Sequence, residues 1–146
     1  ANAVYYHNLE KSQYKKQFYT LEKEWLIEDE LIPLDWELIP DSKIIQGYTC
    51  YKATVEVFKI NSKTEKEVVE VWYAPSLPFS FGPNDYYGLP GLILELKRGY
   101  YKFYTHKLSF SDKSKKIKAP TKGEKHNRDS YETKMNEILE KRRRKR

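Results

Sequence analysis

His7, His106 and His126 are the only imidazoles available for proton transfer or metal binding, and they lie far apart in the chain. No His-x-x-x-His spacing occurs, so a zinc site would need acids delivered by the fold. A single cysteine, Cys50, leaves no internal disulfide and no cysteine-based zinc site. It reads as a small buried strand residue. The run Glu28-Asp29-Glu30 has the oxygen donors a hard cation such as calcium takes. Adjacent residues of a strand or turn point in different directions, however, and the run reads better as a solvated turn. Asp35 and Glu37 sit two apart on one strand face and offer acid–base chemistry, with Trp36 between them as the buried member. Ser80 has no base near it in sequence. There is no nucleophile elbow, phosphate loop or His-Glu-x-x-His motif. The chain therefore nominates no catalytic residue, no metal ligand and no cofactor, and reads as non-enzymatic.

Recognition is the other chemistry on offer. Trp36, Trp72, Tyr73, Tyr86 and Tyr87 can form an aromatic wall for a ligand, or serve as core and sheet cover. The stretch Gly88-Leu89-Pro90-Gly91 can present a rigid loop to a partner, since loops on fixed scaffolds carry recognition. Its glycines and prolines are also explained by backbone geometry alone. At the far end, Lys141, Arg142, Arg143, Arg144, Lys145 and Arg146 are six consecutive cations. They suit phosphates, with counterion release and a steep salt dependence, or anionic lipid headgroups. No aromatic residue interleaves them, which argues against stacking on single-stranded nucleic acid.

Charge divides the chain. Residues 1–110 carry 13 Lys+Arg against 15 Asp+Glu, a balance of −2, and residues 111–146 carry 14 against 6, a balance of +8. The basic character belongs to the tail. We therefore read 1–110 as a β-rich domain, and 111–146 as a basic linker and C-terminal helix on or extending from that domain. At 146 residues the chain can bury a core of its own. No apolar run approaches the roughly 20 residues needed to cross a bilayer as a helix.

The elements that must position these residues follow from period-2 patterning. Residues 1–17 fit an irregular arm or a short strand. Phe18 to Ile27 alternates and predicts one strand. Leu34, Trp36 and Leu38 share a face of a short strand bounded by Pro33 and Pro40. Ile44 to Ile60 is the longest strand pattern, with a bend or bulge at Gly47. A polar turn, Asn61 to Glu65, leads to the return strand Lys66 to Ala74. After a doubly kinked Gly/Pro loop, Leu92, Leu94 and Leu96 fall on one side of a strand and are predicted to face the core. A tight turn at Arg98-Gly99 precedes a last strand, Tyr100 to Phe110. Asp129 and Glu132 form a capping-box pattern. Tyr131, Met135, Ile138 and Leu139 then make one helical stripe, ending in cations that suit a helix C-terminus. The predicted class is mainly β (α+β). It is a curved antiparallel sheet or half-barrel built from sequential hairpins, with a C-terminal helix.

Gly88-Leu89-Pro90-Gly91-Leu92-Ile93 spells GLPGLI, and the chain resembles the GLPGLI family of Bacteroidota proteins. The likeness extends to Trp36 in a DW dipeptide, to Gly47-Tyr48-Thr49-Cys50 with Lys52-Ala53, and to Trp72-Tyr73-Ala74-Pro75 with Leu77-Pro78 and Gly82-Pro83. It covers about Leu26 to Leu96. The resemblance implies an exported protein, periplasmic, outer-membrane associated or secreted. Members of that family are often encoded near TonB-dependent outer-membrane receptors, and the resemblance also implies an N-terminus longer than the one present here, with any leader removed. It brings no catalytic residues. The strand order is further similar to the half-barrel of periplasmic lipoprotein carriers, an analogy of fold only. Together these give an expected function: binding of a hydrophobic or peptide-like ligand, or of an outer-membrane partner. The rival is a structural, nucleic-acid- or anionic-lipid-associating role for residues 111–146.

Overall fold

A computed structural model describes residues 3–60, 62–113 and 115–145. In chain order the elements are β1 (Val4–Asn8), β2 (Gln13–Thr20), β3 (Lys23–Glu30), β4 (Glu37–Ile45), β5 (Tyr48–Phe58), β6 (Lys66–Ala74), β7 (Leu92–Arg98), β8 (Tyr101–Tyr104), β9 (Glu124–His126) and α1 (Arg128–Arg144). The class is mainly β, with one C-terminal helix. The hairpin strands are distributed over two open sheets, in the orders β1-β2-β3-β9 and β4-β5-β6-β7-β8, and neither closes into a barrel among the described residues. The chain forms two compact units, Ala1–Ile32 with Ser114–Arg146, and Pro33–Lys113.

In the first unit the predicted strand Phe18 to Ile27 is in fact a hairpin. Leu21 and Glu22 take φ of 52° and 61°, the two left-handed residues of a tight hairpin turn. Asn-Gly is the usual signal for such a turn, so Leu-Glu gave no warning. Here the paired flanks, from Gln13↔Glu30 to Thr20↔Lys23, impose it. Trp25, Leu26 and Ile27 are all buried, so β3 is covered on both faces. β9 pairs with β3 in parallel, Trp25↔Glu124 to Ile27↔His126. Gly123 permits that approach, because a Cβ there would lie 2.7 Å from the Trp25 carbonyl carbon. The helix forms, with its cap two residues earlier than the pattern placed it. Asn127 accepts from the Ser130 N–H at 2.8 Å, and Ser130 Oγ accepts from the Asn127 N–H at 3.1 Å. Tyr131 meets Trp25 and Phe18 edge to face, at 5.5 and 5.4 Å between centroids. No described residue of α1 is fully buried.

In the second unit the predicted strand Ile44 to Ile60 is also interrupted. Gln46 and Gly47, at φ of 51° and 82°, turn the chain fully, and β5 returns along β4. Pro40 does not bound a strand; it lies inside β4. An edge strand tolerates it because no ladder bond is required on the open side. The register slips there, Pro40 and Asp41 having no partner between Ile39↔Lys52 and Ser42↔Tyr51. β6 spans Lys66–Ala74 as its alternation predicts. The last strand is shorter than expected. β8 stops at Tyr104, and Thr105 turns its N–H and hydroxyl onto the Leu94 carbonyl, at 3.1 and 2.8 Å.

The leucine strand needs correction as well. Trp72 pairs with Glu95 but Tyr73 pairs with Ile93, so Leu94 is the extra residue of a β-bulge. One extra residue reverses the parity of everything before it. Ile93 and Leu96 consequently share one core cluster with Ala53, Val69, Val71 and Tyr73. Leu94 enters a second cluster with Ile45, Cys50, Ala74 and Leu77. Strand alternation puts these two clusters on opposite faces of the five-stranded sheet.

Candidate functional site

The loop from Leu77 to Gly91 is held by backbone bonds along its length. Leu77 donates to Ala74 O, Gly88 to Ser80 O, Leu92 to Leu77 O and Ile93 to Phe81 O, at 3.0, 3.0, 3.0 and 3.2 Å. The residues of the hexapeptide are there for separate reasons. Gly88 has φ of +95°, which side chains rarely adopt, although a Cβ there would come no nearer than 3.9 Å to any atom, the Trp36 Nε1. Gly91 is packed so closely that a Cβ would lie 2.2 Å from Ala74 O. Leu89 is 2 % exposed and anchors the loop in the core, whereas Gly88 and Pro90 are exposed.

This loop fixes the aromatic residues. Tyr86 and Tyr87 are buried. The Trp36 indole donates from Nε1 to Tyr87 O at 2.8 Å and lies 6.5 Å from the Tyr86 ring. Arg98 donates to the Tyr86 hydroxyl at 3.1 Å and to Glu67 at 2.5 Å. Burial nevertheless pushes the Tyr86 phenol up, outweighing that guanidinium. Tyr73 belongs to the same cluster, and burial raises its phenol too. Trp72 does not join this wall. It lies on the other face, under Lys43 Nζ at 4.5 Å from its ring, and Lys43 bridges to Glu95 at 2.6 Å. Of the five candidate aromatic residues, Trp36, Tyr73 and Tyr86 share one cluster, and Tyr87 meets Trp36 through its backbone carbonyl.

Beside Trp36 the unit has an open groove of about 660 Å³. Leu34, Asp35, Trp36 and Glu37 line one side of it, and Val55, Glu56 and Val68 are among the residues of the other. Asp35 and Glu37 are exposed at its mouth, flanking half-buried Trp36. A smaller recess of about 210 Å³ lies by Trp72, Lys43 and Glu95.

The remaining candidates are dispersed. Among the described residues no three His, Cys, Asp or Glu side chains gather as a metal site. The three acids Glu28, Asp29 and Glu30 diverge. Asp29 accepts the Arg128 N–H at 3.0 Å and the Glu30 N–H at 2.8 Å, while Glu28 reaches Lys125 at 3.8 Å. The Arg128 N–H first, and then that of Glu30, holds the Asp29 carboxyl below its usual range. The acid run is therefore a docking point for the start of α1. Cys50 is fully buried, and desolvation pushes its thiol up. Lys141, Arg142, Arg143, Arg144 and Lys145 are exposed at the end of α1, and Arg146 lies outside the described residues.

One arrangement had no signal in the sequence. His126 Nε2 lies 2.7 Å from Glu124 Oε2, and its Nδ1 lies 3.0 Å from Ser130 Oγ. A serine hydroxyl donating to Nδ1, with Nε2–H donating to the carboxylate, is the order a general base needs. Ser130 is already committed to the cap of α1, however, and Glu124 also takes Lys23 at 2.7 Å. The line is accounted for as the joint between β9 and the helix. Its members come from Glu-x-His-x-x-x-Ser across a strand–helix boundary, a spacing that helical or strand periodicity alone does not single out.

Residues 58–95 match the sequence profile of a family described as "Protein of unknown function (Porph_ging)". The match runs from the end of β5 through most of β7 and includes the whole Gly88–Ile93 loop segment. No curated protein and no solved structure matches the chain.

Proposed function

We propose that this is an exported, non-enzymatic binding protein of the GLPGLI family. It takes a hydrophobic or peptide-like ligand, or docks an outer-membrane partner of the TonB-dependent receptor type. The observation that carries the reading is the groove of about 660 Å³ at Trp36. One wall is an indole locked by its bond to the carbonyl of Tyr87, the residue before the hexapeptide, so the surface is pre-formed and its ordering cost is met before binding. The family assignment rests on the hexapeptide and its flanking blocks, and the Porph_ging match covers the same loop.

Native mass spectrometry of the protein, drawn gently from its own envelope fraction, tests this. A discrete added mass on the wild type, lost from Trp36→Ala, is the expected result. A bare wild-type chain refutes the carried ligand and leaves docking at Gly82 to Gly91. Crosslinking in the same fraction then reports whether a receptor is held there.

A second reading is favoured by α1. Its last turn holds Lys141, Arg142, Arg143 and Arg144, all exposed. Association with anionic lipid or nucleic acid through this end would fall steeply with salt. Cutting the chain after Ala119 would abolish it while sparing the groove.

A further inference from the structure

β5 outruns its neighbour. β4 begins at Glu37, opposite Thr54, whereas β5 continues to Phe58. On the other side β6 stays paired throughout, from Tyr51↔Tyr73 to Phe58↔Lys66. Among the described residues, then, β5 has a strand on one side only from Val55 to Phe58, and the Phe58 carbonyl is taken by Arg98 Nη2 at 2.9 Å. Pro33 to Trp36 would have continued β4 along that edge. They leave the sheet instead, drawn away where Leu34 and Trp36 pack against the core cluster of Tyr86 and Leu89. The groove at Trp36 is the space this departure opens.

Open strand edges invite pairing, and proteins commonly blunt them. This unit blunts the edge of β4 with Pro40 and the register slip beside it. The Val55–Val57 edge has neither device. Its surroundings are also polarised. By strand alternation Glu37, Thr54, Glu56 and Val68 share one face, and the Trp36 indole packs on the other. Asp35, Glu37 and Glu56 are exposed and form no ion pair among the described residues, while Lys66 lies over the Phe58 ring at 5.3 Å. The lining thus carries three carboxylates against one lysine.

We propose that the groove at Trp36 receives an extended peptide, which adds as a strand to the free edge of β5 at Val55–Val57. Alternate side chains of that peptide are basic, meeting Glu37 and Glu56. The intervening ones are apolar, meeting Trp36 and Leu34. The inference rests on the ligand-binding reading above and names its ligand class and geometry. Main-chain hydrogen bonds supply affinity, and the two alternating sets of side chains supply specificity.

The test uses the full chain and a fluorescein-labelled Lys-Val-Lys-Val-Lys peptide, followed by fluorescence anisotropy. Saturable binding is expected, with amide shifts in the NMR spectrum at Val55 to Val57. The same peptide N-methylated on alternate amides should bind at least about tenfold more weakly, since it keeps its charge but loses ladder donors. Glu56→Lys, at an exposed strand position, should weaken binding about five- to tenfold, while Glu22→Lys should not. Equal binding of the N-methylated peptide, equal binding by Glu56→Lys, or no binding at millimolar peptide would each overturn the proposal. If the wild type carries a ligand in native mass spectrometry yet ignores this peptide, the strand-addition inference fails and the ligand-binding reading stands. If peptide binding is seen but no carried ligand, the inference survives and the endogenous cargo does not.

Discussion

Replacing Gly91 by alanine should damage this protein far more than replacing Gly88, although both glycines belong to one hexapeptide. At Gly88 the obstacle is the backbone angle, φ +95°, with the nearest atom 3.9 Å from a new Cβ. A non-glycine residue in the left-handed region costs about 1–2 kcal/mol, and alanine recovers some 0.4–1 kcal/mol by restricting the unfolded chain. The net loss is about 1 kcal/mol. At Gly91 the new Cβ would lie 2.2 Å from Ala74 O, 2.5 Å from Ala74 C and 2.8 Å from Pro75 N. These are backbone atoms at the end of β6, where Ala74 pairs with Leu92. No rotamer change can relieve them. Relief means moving β6 from β7, or the loop from Leu77, and both are packed. Overpacking that side chains can absorb costs about 1–3 kcal/mol, so a clash with paired backbone should reach about 3–5 kcal/mol. The assay is urea denaturation followed by circular dichroism and tryptophan fluorescence, whose coincidence checks two-state behaviour. A Gly91→Ala loss no larger than that of Gly88→Ala would refute the reasoning, because the loop would then be yielding where we place it as rigid.

Trp36→Phe keeps an aromatic ring but removes the Nε1–H bond to Tyr87 O. A loss of about 1 kcal/mol in the same denaturation is expected, and an unchanged midpoint would show that the bond does not pin the indole. Cys50 is fully buried with its thiol pushed up. It should resist a chromogenic disulfide reagent in the native protein and react once urea unfolds it; rapid native labelling would contradict this. The Glu124 carboxyl is lowered from 4.5 to about 2, by hydrogen bonds first from Lys23 and then from His126. A folded-state value below the unfolded one means the contribution is present above about pH 4.5 and lost as pH falls towards 2. NMR titration should therefore find Glu124 ionised at pH 3.5, with Lys23→Met raising its midpoint; an ordinary midpoint in the wild type would remove the contact.

Much of the fold was legible because period-2 alternation reports burial directly. β6 coincides with its pattern, and β5 lies within the longest one. The helix followed from Tyr131, Met135 and Ile138, all half-buried. The Gly/Pro composition likewise announced a rigid loop between β6 and β7. Where the reading failed, the missing quantity was a pairing partner. Leu21-Glu22 and Gln46 carry no turn signal, yet their flanking strands fold back and force positive φ on them. Within the candidate site, Tyr73, Tyr86 and Trp36 meet in one cluster and Tyr87 touches Trp36 through its backbone carbonyl, whereas Trp72 follows strand alternation to the opposite face.

What the sequence by itself determined is the mainly β class, the terminal helix, the basic tail and the backbone demand of Gly88. Each is a property of a few consecutive residues: their φ preferences, their alternation, their charge. Only the tertiary structure decided which strands share a sheet, and that the bulge at Leu94 splits the leucines between two cores. It also decided that β4 starts too late to cover the end of β5. Those outcomes depend on register between segments far apart in the chain. A slip of one residue changes every facing side chain without changing any local pattern.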